Sequence, residues 1–213
     1  MSDDPEGLAD NAAAIVGRIE ALASSGQRRL VAIAGAPGSG KSTLAAAVVD
    51  RLVARSHAAV LMPMDGFHLD NRLLEPRGLL PRKGAPETFD FGGFFATLRR
   101  VRAGEAVVIP VFDRSREIAI AGAEEIGPET RIVVVEGNYL CLDEDPWREL
   151  MSIWDLSVML EVPLAELENR LVGRWLGFGY DRDAALAKAQ GNDLRNAERI
   201  LRAVMPTDIM VAN

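Results

Sequence analysis

The 213-residue sequence holds a single cysteine, Cys141, and two histidines, His57 and His68. One cysteine excludes an internal disulfide and a thiolate metal cluster, and two histidines leave no basis for a histidine-rich metal site. Reduced cytoplasm is the expected compartment. The setting Tyr139-Leu140-Cys141-Leu142 is apolar, so this cysteine reads as a small buried hydrophobe rather than a nucleophile. No apolar run approaches the ~18 residues of a membrane helix. The N-terminus carries Asp3, Asp4, Glu6 and Asp10, the opposite of the basic start of a signal peptide. Positive charge is in deficit, 24 Lys and Arg against 31 Asp and Glu, giving a net charge of −7 and a pI near 5.0. A global nucleic-acid-binding field is not expected from such a balance. Repeats and low-complexity tracts are also missing. The expected partner is a small molecule, with neither nucleic acid nor membrane insertion, and a homodimer is left open.

What is present is a globular composition, 48% apolar and 26% charged, long enough for one domain spanning residues 1–213. Leu8, Ala12, Ile15, Val16, Ile19 and Leu22 recur at helical spacing, so a leading amphipathic helix is expected within residues 1–28, broken by Gly26. Leu30 to Ala34 is a short continuous apolar run, as a strand buried on both faces requires. Ala59–Met64, Arg131–Val135 and Ser157–Val162 read as further strands, and Val107–Phe112 looks extended. Helices are expected over 42–55, 94–102, 164–176, 184–190 and 196–204. Alternation of this kind predicts an α/β fold, a doubly wound parallel sheet with both faces covered. Residues of about 70–130 are dense in Pro, Gly and Arg, and are read as an insertion over the sheet's C-terminal edge, where open α/β sheets bind ligands.

One motif carries the class. Gly35-Ala36-Pro37-Gly38-Ser39-Gly40-Lys41-Ser42 fits G-x-x-x-x-G-K-[ST], with a strand before it and a helix after it. Its glycines let the backbone curl so that successive N–H groups face phosphate oxygens, and the helix adds free N–H groups and a positive dipole end. Lys41 would reach the β- and γ-phosphates, Ser42 would ligate Mg²⁺, and Thr43 would add an α-phosphate contact. A chance match at a given position has a probability of roughly 4 × 10⁻⁵ at average composition.

Two acids stand where other strands run out. Asp65 ends the strand LMPMD and Glu136 ends RIVVVEG. A kinase needs one carboxylate near the acceptor hydroxyl and another for Mg²⁺. A charge after three valines is costly unless it is used or paired.

Beyond the phosphate loop, MDGFHLDN (64–71), RKGAPETFD (82–90), PVFDRSRE (110–117) and VEGNYL (135–140) resemble the P-loop kinase superfamily of uridine kinase, phosphoribulokinase and type I pantothenate kinase. The similarity is closest to the bacterial "nucleoside/nucleotide kinase family" or "fructose transport system kinase" branch. It implies a P-loop NTPase kinase fold with a helical lid over about 164–195 and an acceptor-binding insertion. It implies ATP and Mg²⁺ as cofactors, Asp65 as catalytic base and Glu136 as the Mg²⁺-associated acid. By the same resemblance Arg82, Lys83 and Asp90 lie near the acceptor. Phe112 and Arg114 fall where uridine kinases carry aromatic residues that grip the nucleoside, and Arg114 departs from that pattern. Arg170 and Arg174 are the lid arginines it implies.

Several readings stay open on the residues alone. Arg170 and Arg174 either neutralise the transferring phosphoryl group or form a solvated helix face, Arg170 pairing with Glu166 at i, i+4. His68 either bonds the acceptor or packs in its loop, and Tyr139 either lines the acceptor pocket or does not. Arg72, Arg77, Arg82, Lys83 and Arg114 are either surface charge or the mark of an anionic acceptor. Phe89, Phe91, Phe94 and Phe95 read as core of the insertion. The expected function is ATP-dependent phosphoryl transfer to a hydroxyl of a sugar, nucleoside or pantothenate-like alcohol. The alternative is a regulatory P-loop switch without a small-molecule acceptor, although no N-K-x-D guanine motif is present.

Overall fold

The computed structural model describes residues 5–22 and 26–213. The acidic start at Asp3 and Asp4, and the part of the leading segment at 23–25, lie outside the described residues. Helix α1 (Pro5–Ala21) leads into strand β1 (Arg29–Gly35), and helix α2 (Lys41–Ala54) into strand β2 (Ala59–Pro63). A 3₁₀ turn at Met64–Phe67, the short helix α3 (Asn71–Leu74) and two more 3₁₀ turns precede helix α4 (Phe91–Arg102). Strands β3 (Val107–Asp113) and β4 (Ile118–Ile126) form an antiparallel hairpin. Strand β5 (Ile132–Gly137) and strand β6 (Leu156–Glu161) return to the main sheet. Helices α5 (Leu164–Gly177), α6 (Arg182–Lys188) and α7 (Leu194–Arg202) follow, and strand β7 (Ile209–Ala212) closes the chain.

The main sheet is parallel throughout, in the order β2-β5-β1-β6-β7. Side chains alternate across a strand, so a strand covered on both faces must be apolar at every position. In β1, Leu30, Ala32 and Ala34 face the cluster built on α4, Trp147 and Ile200. Val31 and Ile33 face the cluster built on α1 and α2, with Ile15, Val16, Leu44 and Val48. Both faces are therefore covered, as the unbroken run LVAIA requires. A third cluster joins Ala36 to Val162, Leu167, Leu171, Leu194 and Ala197, seating α5 and α7 beside the loop that follows β1.

Residues 70–130 divide between the main core and a separate hairpin. Val107–Asp113 is extended as expected, but it pairs with β4 outside the main sheet. Within the segment α4 supplies Phe94, Leu98 and Val101 to the core. Its far end is held by Arg28, which is 3% exposed. Arg28 donates to the carbonyls of Val101, Gly104, Glu105, Gly127 and Thr130 at 2.7–3.4 Å. The 3₁₀ turn after β2 packs against β3 of the hairpin. There Gly66 lies so close to the Pro110 carbonyl that a Cβ would collide with it.

Candidate active site

β1 ends at Gly35, and the chain curls through Ala36, Pro37, Gly38, Ser39 and Gly40 before α2 begins. Gly40 has φ 88°, in the left-handed region, and precedes the first turn of α2 with no side-chain cap. The first N–H groups of α2 are thus left for a ligand, and the helix dipole makes that end favourable for negative charge. The carbonyl of Ser39 accepts from Asn213 Nδ2 at 2.6 Å, so β7 braces the loop from outside. A Cβ on Gly40 would lie 2.7 Å from the same Asn213 Nδ2.

Lys41 stands at the head of α2. Burial lowers its pKa, and the nearby Glu136 and Asp65 carboxylates oppose that shift. Glu136 is 6% exposed, and burial raises its pKa against the pull of Lys41. Register explains the grouping: Glu136 lies across from Ile33 on one side and from Pro63 on the other. It therefore meets both the phosphate loop and the end of β2. Its Oε2 accepts from Ser42 Oγ at 3.0 Å.

β2 stops at Pro63, one residue earlier than the sequence reading, and Asp65 sits in the 3₁₀ turn that follows. Its carboxylate is ion-paired with Arg114, whose side chain is 65% exposed. His68 donates through Nδ1 to the Asp65 carbonyl at 2.8 Å. Its ring lies between those of Phe89 (4.1 Å) and Phe112 (4.6 Å), tilted to both, and burial lowers its pKa, favouring the neutral imidazole. Lys83 Nζ lies 5.3 Å from the centre of the Phe112 ring and Arg114 lies 5.8 Å from it. Lys83 is held by Asn71 Oδ1 at 2.8 Å and the Glu117 carbonyl at 2.7 Å.

The chemistry of the donor set fits a nucleoside triphosphate with a divalent cation. An uncapped helix end and a half-buried lysine suit polyphosphate. Ser42 and Glu136 supply hard oxygen ligands, while no cluster of three or more His, Cys, Asp or Glu suited to a metal exists among the described residues. That is the pattern of Mg²⁺, which is held by one or two protein oxygens together with substrate phosphates.

The phosphoribulokinase/uridine kinase family profile matches residues 30–191. The chain belongs to that family. This P-loop kinase fold is also that of a candidate fructose transport system kinase from Silicibacter sp. TM1040, 57% identical, with a TM-score of 0.90 over 94% of this chain and 98% of that one. A candidate uridine kinase of Schizosaccharomyces pombe is 30% identical over 195 residues, 87% of this chain and 83% of its own. A pantothenate kinase of Mycolicibacterium vanbaalenii is 31% identical over 151 residues, 69% of this chain but 48% of its own length. Kinases of this family phosphorylate alcohol groups, and membership decides for an enzyme over the nucleotide-operated switch that the motif alone left open. P-loop kinases use ATP, usually with Mg²⁺. No helix among the described residues is long and apolar enough to cross a membrane.

Within this kinase framework the expected residues separate. Lys41, Ser42, Asp65, Glu136 and Arg114 come together at the strand ends, with His68, Lys83 and Phe112 beside them. Arg174 also acts electrostatically on Lys41 and is paired with Asp193 at 2.8 Å. Arg170 binds Glu166 at 2.9 Å along its own helix, with its side chain 19% exposed. The structure gives two expected acceptor contacts other work. Asp90 caps α4, its Oδ1 accepting from Gly93 N at 2.9 Å. Tyr139 is fully buried, and its hydroxyl donates to the Gly84 carbonyl. Arg82 reaches Asn196 Oδ1 at 3.3 Å. Phe94 and Phe89 are buried, with Phe91 and Phe95 packed against them. Cys141 is buried too, its thiol pushed up to about 12 by desolvation, which removes it from nucleophilic chemistry. Sequence reasoning missed Asn192 and Asp193; the sole local signal was Gly191 interrupting a helical pattern.

Proposed function

We propose that this protein transfers the γ-phosphoryl group of ATP·Mg²⁺ to a hydroxyl of a small metabolite that also carries an anionic group, a carboxylate or a phosphate. The observation that carries this reading is the Asp65 carboxylate, set beside Lys41 and Glu136 and ion-paired with a mostly exposed arginine, Arg114. Sugars, nucleosides and pantothenate-like alcohols are the wider class.

The loop amides of 35–42 and Lys41 would hold the β- and γ-phosphates, with Thr43 beside the α-phosphate. Ser42 and Glu136 would hold Mg²⁺, which supplies positive charge to the terminal phosphates as the transferred group leaves. Asp65 would orient the acceptor hydroxyl and take its proton. Arg174, and Arg170 if it leaves Glu166, would meet the developing charge from the lid at 164–195. His68 and Phe112 would form the floor beneath the acceptor.

For Asp65 to accept a proton, Arg114 must leave it. An exposed ion pair is worth only about 1 kcal/mol or less, so the exchange is cheap, provided the guanidinium finds another anion. Lys83 presents a second cation to the same aromatic ring, held by the Asn71 Oδ1 and Glu117 carbonyl oxygens, with the Glu117 carboxylate 3.9 Å away. Two cations converging on the acceptor side favour a charged acceptor.

Matched acceptors test this: glycerate against glycerol, pantothenate against panthenol, ribose 5-phosphate against ribose, with ADP release as readout. A hydrogen bond to a charged group contributes about 1.5–3 kcal/mol, so kcat/KM for the preferred acid is expected to exceed that of its neutral partner about 10- to 150-fold. Arg114→Met is expected to erase that ratio while leaving the KM for ATP within about twofold. Equal use of the neutral partners overturns the charge assignment. A loss confined to the KM for ATP would instead assign Arg114 to the nucleotide.

A further inference from the structure

Between α6 and α7 the helix makes one π-type turn, Ala189–Asp193. Such turns are uncommon and cluster at functional sites. Neighbouring residues in a helical turn point about 100° apart, and here the two directions are used for two different partners. Asn192 Nδ2 donates to the Lys83 carbonyl at 2.8 Å. Asp193 Oδ2 accepts from Arg174 at 2.8 Å and from Trp175 Nε1 at 3.0 Å.

Each partner leads to a different half of the site. On the acceptor side, the grip continues along α7: Asn196, 1% exposed, takes Arg82, and Arg199 bridges Glu87 and Glu144. Residues 192, 196 and 199 thus form one stripe holding the loop that carries Lys83. On the nucleotide side, α5 leans on the phosphate loop, where a Cβ on Gly38 would lie 3.2 Å from Leu171 Cγ. The turn therefore joins the two substrate sites through side chains only two positions wide. Asn192 Oδ1 is buried without a hydrogen-bond partner, an arrangement that costs free energy.

We propose that Asn192 and Asp193 are positioning residues that couple the phosphate loop to the acceptor loop, so that nucleotide binding against α5 tightens residues 80–90 through the 189–193 turn. The inference rests on the kinase reading above, because it needs a triphosphate on the loop.

Hydrogen exchange with and without Mg²⁺ and the non-hydrolysable β,γ-imido analogue of ATP tests it. In the wild type the analogue should slow exchange at 36–44, and at 80–90 by about threefold or more. Asn192→Asp keeps the shape but removes the amide donor; Asp193→Asn weakens the hold on Arg174. Both variants should keep the slowing at 36–44 within about twofold and lose the increment at 80–90. A purely structural Asn192 would instead raise exchange at 80–90 with and without nucleotide alike, leaving the increment intact. If Asn192→Asp does not fold, Asp193→Asn carries the test. Absence of slowing at 80–90 in the wild type, or its persistence in the folded variants, overturns the coupling. Absence of slowing at 36–44 in the wild type brings down the nucleotide reading itself, a distinguishable result.

Discussion

The phosphate side and the acceptor side of the cleft are built on opposite plans. On the phosphate side the polar groups have few internal partners: α2 begins without a side-chain cap, and Lys41 meets carboxylates only at a distance. The loop is braced from behind by Asn213 and Leu171, so its shape exists before any ligand does. On the acceptor side the polar groups satisfy one another. Arg114 closes on Asp65, Lys83 on Asn71 and Glu117, and Arg116 on Asp113. The first region is preorganised for one chemical group common to every triphosphate. The second is self-complementary and must be opened by its substrate, which is where selectivity can be built.

Removing the acid that links the two regions should have the largest effect. Asp65→Asn keeps size and hydrogen-bonding capacity but cannot take the hydroxyl proton. General base catalysis supplies about 10²–10⁴ in rate, so phosphoryl transfer is expected to fall by about 10³. Nucleotide affinity, measured by calorimetry, should stay within about threefold. A comparable loss of nucleotide binding would place Asp65 on the phosphate side and erase the division.

Gly40→Ala attacks the preorganised side alone. The residue sits at φ 88°, and its Cβ would press on Asn213 Nδ2. Left-handed strain costs about 1–2 kcal/mol, so a matching loss in denaturation free energy and a weakening of nucleotide binding by about tenfold are expected. Gly66→Ala is its counterpart on the other side. Its Cβ would collide with the Pro110 carbonyl, a backbone atom that cannot swing away. The hairpin must shift, carrying Phe112 and Arg114 with it. The expected result is an acceptor KM raised about tenfold with nucleotide affinity unchanged. If both glycine variants impair both ligands equally, the two regions are one.

The same contrast governs how much could be read from sequence. The phosphate loop, β1, β2, β5, β6 and the helices between them were legible because each rests on local rules: an apolar run buried on both faces, a glycine-rich turn, a helical repeat. β4 was not, since IAIAGAEEI is interrupted by Gly122 and largely exposed, and β7 is a four-residue edge strand. Asp65 and Glu136 were legible as acids at strand ends. The work of Asp90 and Tyr139 was not, because a helix cap and a buried hydroxyl depend on what folds against them: Gly93 for one, Gly84 for the other. Asn192 and Asp193 were invisible for the same reason, their partners lying 109 and about 19 positions away.

The smallest effect expected is a pH dependence confined to the acceptor side. His68 lies between two phenyl rings, and burial lowers its pKa from the ordinary 6.5, while Asp65 partly opposes the shift. A base whose folded-state pKa is depressed binds its proton more readily in the unfolded chain. Stability should therefore fall as pH drops below about 6.5, and the contribution should be constant above that value. Comparing denaturation midpoints of the wild type and His68→Gln from pH 5 to 8 isolates it. The gap between the two proteins is expected to shift in favour of the variant on the acid side only. The opposite trend, the wild type gaining on the variant as pH falls, would mean that the folded-state pKa is raised and that His68 is paired as a cation with Asp65. In that case Asp65 would be shared between two cations, and displacing Arg114 alone would not free it for the acceptor.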